Sequence, residues 1–393
     1  MKAGILLLGA AYVLSQFFRA FLAVLTPILG ADIGASADDL ARASGLWFLA
    51  FAAMQIPVGW ALDTLGPRRT AGWILLGGGG GGAAIFALAT APWHIDVAMT
   101  LIGVGCSPVL MASFYIFGRE YPPARFAVLA SLMLAIGSSG NLVAAYPMAL
   151  AAELVGWRAS LWALASLSTL VALGIFAFVR DPAPVEGEES GSLLALFRVR
   201  ALWLIYPLIG VSYAISIAVR GLWIGPYLSD TFAATVSQIG TASLVMGIGM
   251  VVGALAYAQA DRMLPSRKWM IVGGSVLILG FGGVLITAPT RSLLLSATMM
   301  AATGFFGANY AVLMAHGRSF LPPALIGRGV TMLNLFSIGG VGVLQVLSGR
   351  VYRSALANGA APTEAYVAVF TLFVASLALG LAFYLFSRDS PAD

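Results

Sequence analysis

Apolar runs of about 18 to 25 residues, separated by short polar turns, recur along the whole chain, and each can cross a bilayer as an α-helix. The strands of a membrane barrel would instead show segments of about ten residues alternating with period two, so the pattern predicts helices. Twelve segments emerge, at 4 to 30, 44 to 62, 71 to 90, 97 to 118, 126 to 150 and 158 to 179, then at 201 to 228, 238 to 260, 270 to 288, 292 to 317, 327 to 349 and 364 to 387. The first is too long for the core of a signal peptide and lacks a small-x-small cleavage site, so it counts as a span. Segments three, six, nine and twelve hold no charge, Asn or Gln in their interiors, which predicts peripheral helices. Gly77 to Gly82, inside the third, has no following Lys-Ser/Thr and predicts close helix packing or bending rather than a phosphate loop.

The second six segments echo the first. A polar hinge from Gly59 to Thr70 separates segments two and three: Gly66 is expected to take a positive φ, Pro67 fixes the next φ, and Asp63 is expected to cap a helix end. Asp261, Arg262, Pro265, Arg267 and Lys268 return at the equivalent place. Asp32 and Asp230 close the first segment of each set and stand equally far ahead of Asp63 and Asp261. Tyr12 with Arg19 is matched by Tyr213 with Arg220, and Arg119 with Pro122 and Pro123 by Arg318 with Pro322 and Pro323. Six helices have been duplicated, giving expected bundles at 1–180 and 201–393 and a solvated linker at 181–200. Parallel repeats of this kind place a substrate site near the midplane between them.

Composition agrees with a membrane protein. Of 393 residues 60% are hydrophobic and 9% charged, where a soluble enzyme carries roughly a quarter charged. The net charge of +5 is spread one or two basic residues per loop, which argues against a nucleic-acid partner. An inside N-terminus puts Lys2, Arg68, Arg69, Arg119, Arg125, Arg180, Arg198, Arg200, Arg262, Arg267, Lys268, Arg318, Arg328 and Arg388 in the cytoplasm. Only Arg42, Arg158, Arg291, Arg350 and Arg353 fall outside, so both termini are expected inside, in the plasma membrane or a bacterial inner membrane. Cys106 is the sole cysteine, which excludes an intrachain disulfide and a thiol metal site. Neither a cofactor nor a metal is predicted.

The hinge resembles a motif of the major facilitator superfamily, Gly-x-x-x-Asp-basic-x-Gly-x-basic-basic between the second and third helices. Gly59, Asp63, Gly66, Arg68 and Arg69 match it, and Thr64 departs from it. In the second copy Tyr257 and Leu264 replace the glycines, while Asp261, Arg267 and Lys268 remain. The resemblance implies an all-α fold of twelve transmembrane helices in two parallel six-helix repeats, working by alternating access without an enzymatic step. It also implies that the hinge residues of both copies form a conformational latch on the cytoplasmic side, and that helices one, four, seven and ten line a central cavity.

Arg19 and Arg220 lie deep in their segments, ~15 to 20 Å from the aspartates that end them at 1.5 Å per residue. An arginine at such depth costs about 2.5 to 3.5 kcal/mol on insertion scales and marks a water-filled substrate path. Tyr12 and Gln16 share a helical stripe with Arg19, as do Tyr213 and Ser216 with Arg220. Two guanidiniums with no carboxylate in the span interiors match a carboxylate or phosphate; the family's organic-phosphate exchangers use a similar arginine pair. Tyr115, Asn309, Tyr310 and Asn334 are further candidates for substrate contact, and Asn141 and His316 are weaker ones.

The reading is a secondary transporter, expected to be monomeric, for a small organic anion, by exchange or facilitated movement. The alternative is an exporter of amphipathic compounds. An intramembrane serine hydrolase built on Ser139 is a remote third, because the nucleophile needs a histidine within hydrogen-bond reach.

Overall fold

The computed structural model of the protein describes residues 2–182, 199–321 and 326–389. Among them helix is the only regular structure. Most of the expected linker, and Pro322 and Pro323, lie outside the described residues. The chain divides into two compact units, Met1–Glu188 and Glu189–Asp393.

The first unit holds α1 (Lys2–Phe17 continuing as Leu22–Ile33), α2 (Ala37–Ala53 and Gln55–Thr64), α3 (Pro67–Ala87), α4 (Pro92–Glu120), α5 (Pro123–Val143 and Tyr146–Val155) and α6 (Trp157–Phe178). The second holds α7 (Tyr206–Phe232), α8 (Val236–Met263), α9 (Arg267–Thr287), α10 (Leu293–Gly307 and Tyr310–Ser319), α11 (Ile326–Ala357) and α12 (Pro362–Leu385). Eight helices are long and apolar enough to cross a membrane, and the bent pairs of α1, α2 and α5, at 56°, 40° and 43°, bring the count to 11. The tenth sequence segment is the exception: it divides at Ala308 and Asn309 into pieces of 15 and 10 residues.

Helix ends follow caps rather than hydropathy. Ser36 and Asp39 form a capping box that starts α2 seven residues ahead of its apolar run, and Thr235 with Gln238 does the same for α8. These polar turns project past the apolar windows, so the predicted boundaries were short.

The same close approaches recur in both units. A Cβ on Gly140 of α5 would lie 2.0 Å from the Val13 carbonyl of α1, and one on Gly340 of α11 would lie 1.9 Å from the Gly210 carbonyl of α7. Gly103 of α4 meets Trp47 of α2 in this way, and Gly253 of α8 meets Phe305 of α10. Backbones approach where side chains are absent, which is how membrane helices gain packing without a hydrophobic driving force.

The glycine run of α3 adopts a π-helical stretch, Leu75–Gly81. A Cβ on Gly78 would stand 2.5 Å from Gly105 N in α4, and one on Gly105 would stand 2.1 Å from Gly79 N. This contact corrects the expectation that α3 is peripheral: 61% of its apolar window is buried, against 33% in α6 and α9 and 39% in α12. A glycine-rich face carries no polar signal, yet it allows a close backbone contact.

Carboxylates tie the helix ends in matched pairs. Asp32 at the end of α1 accepts from Trp157 Nε1 (3.0 Å) and pairs with Arg158, at the start of α6. Asp230 at the end of α7 accepts from Tyr366 at the start of α12. At the opposite end Gly66 has φ 82°, as expected, and Pro67 opens α3. The cap is not Asp63, which is exposed at the end of α2, but Asp181 beyond α6, whose Oδ1 accepts from the Arg68 backbone N–H at 2.7 Å. Its carboxyl occupies the space that a side chain on residue 66 would need. Asp389 beyond α12 repeats the arrangement, accepting from Lys268 N (3.2 Å) and from the Ser266 hydroxyl. The second loop turns without a glycine, through Leu264 in extended conformation at φ −100°, and Asp261 pairs with Arg267 Nε at 2.8 Å.

Two outcomes follow. Gly105→Val forces backbone off backbone and should lower stability by about 1 to 3 kcal/mol, read as a depressed thermal midpoint of the purified protein. Asp181→Ala should cost about 0.5 to 2 kcal/mol and Asp181→Asn much less, because the amide oxygen still accepts from Arg68 N; equal losses would mean that charge, not the cap, carries the effect.

Candidate functional site

Each unit interrupts its first helix where its arginine stands. In α1 the residues 18–21 form a turn between two helices, and Arg19 lies in that turn. In α7 the stretch Val219–Trp223 is π-helical and carries Arg220. Irregular backbone at membrane depth is tolerated where protein or a cavity covers it, and π segments gather at functional sites.

Arg19 is 9% exposed. Its guanidinium carbon lies 5.3 Å from the Trp47 ring centroid and 5.0 Å from that of Phe51, and these two rings stack at 5.2 Å. Among the described residues no carboxylate pairs with it, and its Nε has no hydrogen-bond partner. Contacts of this kind contribute about 0.5 to 2 kcal/mol each. That falls short of the several kcal/mol by which a buried ion is destabilised, so the site retains a preference for an anion. Arg220 is 1% exposed, beside Trp223, whose Nε1 donates to Ser348 Oγ at 2.9 Å.

Two polar clusters accompany the arginines. In the first unit Gln16 Nε2 donates to Tyr12 Oη at 2.6 Å, and Asn141 of α5 donates to Gln16 Oε1 at 3.4 Å. In the second, Tyr213 stacks on Tyr310 at 4.5 Å, and Tyr310 Oη donates to Asn334 of α11 at 3.4 Å. All but Tyr12 are half-buried. Both clusters use the first and fifth helices of their unit, and the second is joined through Tyr310 of α10.

Other candidates lie elsewhere. Asn309 is fully buried and holds helices together, accepting from Ser212 Oγ (3.0 Å) and donating to Ser275 Oγ and the Ile271 carbonyl. Ser216 donates to the Thr303 carbonyl at 3.1 Å. Tyr115 lies under the Arg119 guanidinium at 4.4 Å. His316 is buried in the last turn of its helix, with Nδ1 2.8 Å from Tyr384 Oη and Nε2 3.1 Å from the Arg388 carbonyl, so both ring nitrogens are engaged. Ser139 bonds back to the Ile136 carbonyl of its own helix at 2.7 Å, the ordinary state of a helical serine. Ser15 and Trp47, which the sequence reading passed over, stand beside Arg19: the periodicity of α2 marks Trp47 as core, and nothing in a sequence shows that its N–H is left unmatched.

The chain matches the Major Facilitator Superfamily over residues 8–344. It is 23% identical over 300 residues to a protein of Escherichia coli strain K12 described as a probable L-galactonate transporter, a match spanning 68% of this chain and 62% of that protein, which is under two thirds of the relative's length. By structure it is similar to a bacterial homologue of the human lysosomal transporter Spinster (TM-score 0.79, 16% identity, 98% of this chain and 96% of that one). It is also similar to the nucleoside transporter NupG (0.74, 15%, 98% and 99%) and to a D-xylose-proton symporter (0.77, 12%, 98% and 97%). The hinge motif and the match along most of the chain lead to one conclusion: this protein belongs to the major facilitator superfamily and is a multi-pass membrane protein.

Proposed function

We propose that the protein moves a small organic anion, a carboxylate before a phosphate, by alternating access. The observation that carries this reading is Arg19, a membrane-depth cation set against two aromatic rings with no acid opposite it among the described residues. A carboxylate supplies the missing charge, and a guanidinium fork recognises it with directed hydrogen bonds. Arg220 is the repeat-equivalent cation and the second binding candidate. Tyr12, Gln16 and Asn141, and Tyr213, Tyr310 and Asn334, offer amide and hydroxyl groups for a ligand's own hydroxyls. L-galactonate, the substrate in the name of the E. coli relative, combines a carboxylate with a chain of hydroxyls.

The basic-residue distribution supports both termini in the cytoplasm of a plasma or inner membrane. Gly59, Asp63, Gly66, Arg68 and Arg69, with Asp261, Arg267 and Lys268, are the residues we assign to a conformational latch there. Exchange or facilitated movement suits the site better than proton symport, since the one histidine of the second unit has both ring nitrogens engaged.

In proteoliposomes, preloaded L-galactonate or another small carboxylate should accelerate uptake of the labelled anion with no imposed pH gradient. Arg19→Ala and Arg220→Ala should each reduce that exchange at least tenfold with expression retained, and lysine should restore it only in part, because a point charge lacks the planar fork. Wild-type exchange by both alanine variants would remove the anion reading. Uptake of amphipathic cations in their place would favour an exporter.

A further inference from the structure

Three buried donors without matching acceptors stand together in the first unit. Arg19 Nε, Trp47 Nε1 and Ser15 Oγ have no hydrogen-bond partner, and their residues are 9%, 0% and 1% exposed. Ser15 stands four residues before Arg19 in sequence, the Arg19 guanidinium lies over the Trp47 ring, and Ser15 is next to the Cys106 thiol of α4, a weak partner for its hydroxyl. Native proteins pair the large majority of buried polar atoms, so three unpaired ones in one place require a reason. Trp47 is held firmly: it stacks on Phe51, meets Phe48 edge-on at 4.8 Å, and its backbone is pressed against Gly103. Relaxation of the indole toward a partner is blocked.

The chemistry of the set selects its ligand. Guanidinium and indole donate only, and the serine hydroxyl can rotate to donate as well. A neutral sugar or nucleoside offers hydroxyls that can accept but brings no charge to match the guanidinium. A phosphate dianion calls for more positive charge than one arginine gives. A carboxylate presents two oxygens that only accept and one charge, which suits a set of donors gathered around one guanidinium.

We infer that Ser15 and Trp47 are specificity-determining residues that, with Arg19, form a carboxylate subsite inside the first unit. This rests on the organic-anion reading and goes further by assigning the carboxyl group to one unit and to named donors. An unpaired donor reserved for a ligand weakens the empty protein and strengthens the complex. A donor satisfied structurally does the reverse.

Trp47→Phe keeps an aromatic ring against Phe51 but removes the N–H together with part of the buried ring, and Ser15→Ala removes only the hydroxyl. Purified wild type and both variants are titrated with L-galactonate and a small panel of other carboxylates, with inorganic phosphate and L-galactose as comparators, and followed by calorimetry and thermal unfolding. Ser15→Ala should keep or raise the thermal midpoint of the unliganded protein and Trp47→Phe should lower it by the lost packing alone, while each loses about tenfold or more in affinity for the best carboxylate. Wild type should prefer that carboxylate to phosphate and leave galactose unbound. Variants with a lower unliganded midpoint and wild-type affinity would show that the two donors are structural and overturn the assignment. If Arg19→Ala abolishes carboxylate binding while Trp47→Phe and Ser15→Ala retain it, the subsite is wrong and the anion reading stands. Wild type that binds no carboxylate overturns both.

Discussion

Inside a bilayer a peptide N–H or C=O has no water to turn to, so each backbone group must be satisfied by the chain itself, and an open chain can do this only as a helix. Everything else in this molecule is arranged around that requirement. Departures from α-helical hydrogen bonding are therefore informative: the turn at 18–21, the π segments Leu75–Gly81 and Val219–Trp223, and the division of α10 at Ala308 and Asn309. At Leu75–Gly81 the return is a backbone contact between α3 and α4. At Ala308 and Asn309 the side chain of Asn309 joins three helices. The other two irregularities hold arginines.

Charge shows a contrast of the same kind. Arg42 pairs with Asp96 and Asp39, Arg158 with Asp32, and Arg267 with Asp261, all toward helix ends where water lowers the cost of ionisation. Arg19 meets aromatic faces instead. A guanidinium so placed carries an attraction for anions that a setting of low dielectric strengthens.

Duplication has been kept where the task is mechanical and relaxed where it is chemical. Asp32 and Asp230, Asp181 and Asp389, and the glycine contacts of α1 with α5 and α7 with α11 are the same devices used twice. The middles differ: the first unit has a turn, an arginine on stacked rings and an amide pair, while the second has a π segment, an enclosed arginine and a tyrosine stack. Bundling six helices poses one problem in both halves, whereas a ligand is not symmetric.

What the chain by itself determined was helical class and the places of the apolar segments along the sequence, with the two arginines inside them, because apolar run length and charge in an apolar run are properties of residues read one at a time. Gly66 with its positive φ belongs with these, since the requirement is local. Tertiary structure decided the remainder. That Asp181 and not Asp63 caps α3, that Asn309 joins helices while Asn141 and Asn334 meet the polar stripes, and that the glycine face of α3 is buried all depend on which distant segment arrives alongside. Most of all, whether a buried donor such as Trp47 Nε1 has an acceptor is a fact about the space around it, and sequence records the donor but not the space.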